Sequence, residues 1–100
     1  MNYDSILRAF NDYIRKCQCQ FYKELYVGVT NDIERRLFSE HNIDRVNDRW
    51  IYAPADSEET ARRVESYFLD LGMRGGTGGG KGDGSSVFVY CYVITSNTVE

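Results

Sequence analysis

The stretch LYVGVTNDIERRLFSEHN, from Leu25 to Asn42, decides how this chain is read. Its first six residues, Leu25 to Thr30, are apolar or β-branched around one glycine, the composition of a strand. On a strand Tyr26, Gly28 and Thr30 share one face, so Tyr26 can present its hydroxyl where Gly28 leaves room for a backbone to approach. Asn31 followed by Glu34 is a helix start of the capping-box type, and Asp32 suits the positive end of a helix dipole. The helix is expected to run through about His41, with Ile33 and Leu37 as core contacts one turn apart.

Working outward, apolar residues at Tyr3, Ile6, Leu7, Phe10, Tyr13 and Ile14 repeat with the period of an amphipathic helix over Tyr3 to Lys16. The alternation Cys-Gln-Cys-Gln predicts a strand over Cys17 to Tyr22, joined by Lys23-Glu24 to the next strand as an antiparallel hairpin. Arg49 to Ala53 reads as a third strand stopped by Pro54. Asp56 with Glu59 opens another helix, which carries Ala61, Val64, Phe68 and Leu71 in one stripe and closes at Gly72. Gly75 to Gly84 holds seven glycines in ten positions. Val87 to Thr95 is then the strongest strand, apolar or aromatic on both faces, and so expected to be central in the sheet or covered on two sides. The expected fold is α+β: a small, mostly antiparallel sheet of about four strands with three helices, in the order α-β-β-α-β-α-loop-β.

One hundred residues at 11.6 kDa make a single domain over 1–100, with a glycine-rich loop at 72–86. No apolar run approaches the roughly 18 residues of a membrane span. The N-terminus lacks the basic-then-apolar layout of a signal peptide, so a cytoplasmic location is expected. The formal charge is −3, and residues 1–50 carry eight basic and eight acidic groups against four and seven in residues 51–100. Any basic surface is therefore expected from the first half. Cys17, Cys19 and Cys91 are odd in number and form no disulfide framework. Cys-x-Cys on a strand, with Cys91 or His41 added, is one metal-ligand reading; buried apolar thiols are the plainer one. Gly75-x-x-x-x-Gly80-Lys81 superficially matches a phosphate loop, but a helix precedes it, a strand follows it, and Gly82 stands where Ser or Thr is needed. A nest of backbone N–H groups with Lys81 is a second reading of the tract, and a plain α-to-β connection is the third.

Tyr26-Val27-Gly28, Thr30, Asn31-Asp32 and Arg35-Arg36, in this order and spacing, resemble the second motif of the GIY-YIG nuclease family. With Trp50-Ile51 and Ala61-x-x-x-Glu65, the resemblance covers roughly residues 17 to 71. It implies Arg36 as the phosphate-binding arginine, Glu65 as the metal-binding glutamate, and Tyr26 with His41 as groups that handle protons. The cofactor implied is a magnesium or manganese ion. No Gly-Ile/Val-Tyr triplet stands ten to twelve residues before Tyr26, where the family has its first motif. His41 follows Arg36 by five residues where the family often has four, a difference of about 100° around an α-helix.

Phosphodiester hydrolysis needs an activated water, a cation for the developing charge and help for the leaving oxygen. One carboxylate suffices for a magnesium that keeps most of its waters, and a guanidinium fork clamps phosphate. Each residue also has a structural role open to it: Tyr26 as a sheet aromatic, Arg36 paired with Glu40 or Asp32, and Glu65 paired with Arg62. The alternative to a nuclease is a non-catalytic binding module for nucleic acid or a protein partner, using the glycine loop and the face bearing Phe88, Tyr90 and Tyr92. A third reading is self-association through Val87–Thr95 at a sheet edge.

Overall fold

The computed structural model describes residues 1–75 and 87–100. They form a small α+β unit with three helices and a three-stranded antiparallel sheet. Helix α1 spans Tyr3–Cys17, strand β1 Leu25–Thr30, a π-helix Glu34–Glu40, strand β2 Trp50–Pro54, helix α2 Glu58–Leu71, and strand β3 Phe88–Val93. The Asn2 side chain caps α1 by accepting from the Ser5 N–H at 2.9 Å, and Ser57 caps α2 by accepting from Thr60 N–H at 3.1 Å. Gly72, at φ +115°, closes α2 in the left-handed conformation that a residue with a Cβ resists.

The expected strand over Cys17 to Tyr22 does not form, so the sheet has three strands and no hairpin leads into β1. Cys17 is the last residue of α1, and Gln18 ends that helix in the left-handed region at φ 58°. The Arg49 guanidinium donates to the Cys17 carbonyl at 2.7 Å, satisfying an acceptor that the helix end leaves over. Cys17 and Cys19 are therefore not paired on one strand face. Cys91 is buried in the core beside Met73. The glycine-tract readings concern residues 75–84, which apart from Gly75 lie outside the described residues.

Sheet order is β1-β3-β2, with β3 paired antiparallel on both sides. The central position predicted for the last strand is correct, and pairing of copies through β3 as an edge is ruled out by it. On the free side of β1, Arg74 adds one parallel bridge: Arg74 N–H donates to Leu25 O and Val27 N–H to Arg74 O, each at 2.9 Å. One sheet face packs Val27, Val89 and Cys91 against α1 and α2, where Phe10 and Phe68 stack at 5.8 Å. Burying one such ring stabilises by about 1.5–3 kcal/mol relative to leaving it exposed. Of the α2 stripe, Ala61, Val64 and Phe68 are buried but Leu71 is exposed. The other sheet face carries Tyr26, Tyr90 and Tyr92 beneath Leu37 of the π-helix. No helix among the described residues is long and apolar enough to cross a membrane.

Candidate functional site

Strand register builds the site. Gly28 stands opposite Tyr90 and Tyr26 opposite Tyr92, so the glycine gap lies beside a tyrosine ring. A Cβ on Gly28 would come within 2.5 Å of Tyr90 Cζ and 2.9 Å of Cε1. The room expected at Gly28 for an approaching backbone is thus filled by Tyr90. Tyr26 stacks on Tyr92 at 5.1 Å and lies 4.8 Å from the His41 ring.

The segment after β1 starts with different caps from those expected. Asp32, not Asn31, supplies the cap: its carboxylate accepts from Arg35 N–H at 3.1 Å, and Thr30 Oγ1 accepts from Asp32 N–H at 3.0 Å. The helix then widens, and His41 N–H donates to Arg36 O at 2.9 Å, five residues back. That wider turn brings a residue five positions on to the same side, as π-helical turns at functional sites do. Arg36 and His41, five residues apart, therefore reach the same neighbour.

Both side chains meet the Tyr90 hydroxyl. Arg36 Nε donates to it at 3.3 Å, and His41 Nε2 lies 2.7 Å from it. His41 Nδ1 is 2.5 Å from the Val99 carbonyl, which can only accept, so the ring proton is assigned to Nδ1 and Nε2 accepts from Tyr90. Tyr92 donates to the same carbonyl at 3.3 Å, and Val99 N–H donates to His41 O at 2.8 Å. The resulting chain runs from Arg36 through Tyr90 and His41 to the backbone of the tail.

Electrostatics follow from burial. Desolvation pushes the Tyr90 and Tyr92 phenols up, so both are protonated at neutral pH. Burial pushes His41 below its ordinary value; its contact with Val99 O opposes this, and the Arg36 charge adds to it. Glu65, only 8% exposed on α2, is pushed up by burial, while Arg62 and then Arg36 pull it down. Its Oε1 lies 3.8 Å from Arg62 Nη1. Arg36 also pairs with Glu40 at 2.8 Å, the structural partner the sequence suggested, and keeps about a third of its side chain exposed (34%). Hydrogen bonding to Tyr90 is the largest influence holding its guanidinium charged.

The structure therefore gathers Tyr26, Arg36 and His41 around Tyr90, with Glu65 close enough for its charge to be felt by both Arg36 and Tyr90. Tyr90 itself was not among the residues expected at the site. Beyond the aromatic face that the sequence gives it with Phe88 and Tyr92, its signal is Gly28, a gap in a strand of large residues that something must fill. Among the described residues no three His, Cys, Asp or Glu side chains are grouped to hold a metal. No family model matches the chain, and neither a curated protein nor a solved structure matches it.

His41 is the one histidine in the sequence, which makes its titration separable. Its folded-state pKa is lowered by burial, so the unfolded chain, titrating near an ordinary value of about 6.5, binds the proton first. The stability it contributes is present above that value and is lost as pH falls through the folded pKa. Urea midpoints are expected to drop between about pH 7.5 and pH 5.5, and His41→Gln to flatten that segment. An unchanged slope in the variant would place the titration elsewhere.

Proposed function

We propose that the protein hydrolyses phosphodiester bonds in nucleic acid at the Arg36–Tyr90–His41–Glu65 cluster, in the manner of a GIY-YIG-like nuclease. The observation that carries this reading is the meeting of Arg36 and His41 on the Tyr90 hydroxyl, 3.3 Å and 2.7 Å away. The π-turn that aligns them also supports it. A strand ending ten to twelve residues before Tyr26 and looping back onto β1 would lie antiparallel beside it. In this chain that neighbour is β3, arriving from the far end of the sequence, and Phe88-Val89-Tyr90 sets its tyrosine opposite Gly28. Tyr90 thus supplies the tyrosine that the sequence lacks ahead of β1.

In this reading Arg36, the partly exposed member, binds a phosphate oxygen through its guanidinium fork. Drawing the guanidinium outward uncovers the Tyr90 hydroxyl, whose proton already points at His41 Nε2. Tyr90 with His41 behind it then moves a proton from a water, and neutral His41 is the base that receives it. Glu65 is the residue to hold a divalent ion. One carboxylate fits a magnesium or manganese ion that keeps most of its waters, and such an ion neutralises charge developing on phosphate.

Nicking of supercoiled plasmid with magnesium or manganese tests the reading. Cleavage by the wild type and at least roughly 100-fold less by Glu65→Ala are expected, the loss typical of removing one electrostatic group. Equal cleavage by both would remove Glu65 from the site. Absence of cleavage by either, beside an active control nuclease, would favour a non-catalytic binding module for nucleic acid or a protein.

A further inference from the structure

On the opposite flank of the π-helix, a groove of about 400 Å³ runs between Asp32–Glu34, Phe38 and the exposed side of β2. Its walls are rings. Trp50 and Tyr52 lie nearly parallel (12°) with centroids 6.3 Å apart, Phe88 stands at 67° to Tyr52, and Phe38 stands at 84° to Trp50. Tyr52 is 44% exposed, far more than a ring serving only the core needs. The rim is acidic: Asp32 and Glu34 line it, and Glu34 is paired with Arg45. That same Arg45 places its guanidinium 3.8 Å from the Phe38 ring centroid, so one end of the groove already holds a cation against an aromatic face.

We propose that the remaining faces, Trp50, Tyr52 and Phe88, dock the cationic side chain of a basic segment in a protein partner. Aromatic faces attract an arginine or lysine head through the ring quadrupole, and the Asp32 carboxylate adds a complementary charge. Among the described lining residues, with Glu34 paired to Arg45, the Asp32 carboxylate leaves a net negative charge, which opposes a phosphate backbone. The groove adjoins the Tyr90 cluster, since Tyr52 stands opposite Tyr90 and Trp50 opposite Tyr92 on one sheet face, but docking of a cation there needs no phosphodiester chemistry.

Trp50 is the single tryptophan of the chain, so its fluorescence reports the groove. Titration with hexa-arginine at moderate salt is expected to change it saturably. Tyr52→Ala, which leaves the net charge unaltered, is expected to weaken binding about tenfold, and Tyr52→Phe to retain it. Asp32→Asn keeps a helix-capping side chain and is expected to weaken binding as well, a second test should Tyr52→Ala unfold. Equal binding by Tyr52→Ala would mean general attraction to an acidic chain and overturn the proposal. So would the lack of a saturable change, or a stronger response to oligothymidylate than to hexa-arginine.

Discussion

Tyr90→Phe removes one oxygen and is expected to lower divalent-dependent cleavage by roughly 100-fold or more, the range for loss of a proton-transfer group. The ring and its place beside Gly28 are kept, so the loss would be chemical rather than one of shape. The change also leaves His41 Nε2 buried without its donor and Arg36 Nε without its acceptor. Stranding such groups costs about 1–3 kcal/mol, read as a lower urea midpoint. Tyr67→Phe, at an exposed tyrosine on α2, is the comparison expected to change neither quantity. Full cleavage by Tyr90→Phe would show that the hydroxyl only holds structure together.

Gly28→Ala is expected to destabilise by about 2–4 kcal/mol, because overpacking a filled core strains the backbone and here also disturbs a buried hydrogen-bonded group. The new methyl would meet the Tyr90 ring at 2.5 Å from Cζ, and β1 and β3 are held at a fixed spacing by their ladder. The ring cannot retreat without giving up Arg36 and His41. In a Tyr90→Leu background the same substitution is expected to cost much less, which a double-mutant cycle measures. Equal losses in the two backgrounds would mean that Gly28 is needed for a reason other than this ring.

Much of this was legible in local pattern. Leu25–Thr30 reads as a strand with the observed bounds, the repeats of α1 and α2 show their buried faces, and the apolar last strand reads as central. The misread strand at Cys17–Tyr22 rested on four alternating residues, too few to distinguish a strand from a helix end turned out by Gln18 at φ 58°. Tyr26, Arg36, His41 and Glu65 were singled out by motif order, but the meeting of Arg36 and His41 on the Tyr90 hydroxyl was not. Nothing in Glu34–Glu40 announces a π-turn; its widening goes with His41, whose backbone and ring are both tied to Val99 near the other end of the chain. Tyr90 was hidden for the same reason, since pairing across 62 positions (Gly28 with Tyr90) leaves no mark in local composition.

The strand order has a consequence for how the chain is made. β1 and β2 do not pair with each other, and both wait for β3, the last of the three to be synthesised. Until it emerges from the ribosome, two apolar ribbons carry unmet backbone groups, the condition under which nascent chains aggregate. Sheet formation is then a single late event of high contact order, and folding is expected to be slow for a domain of this size.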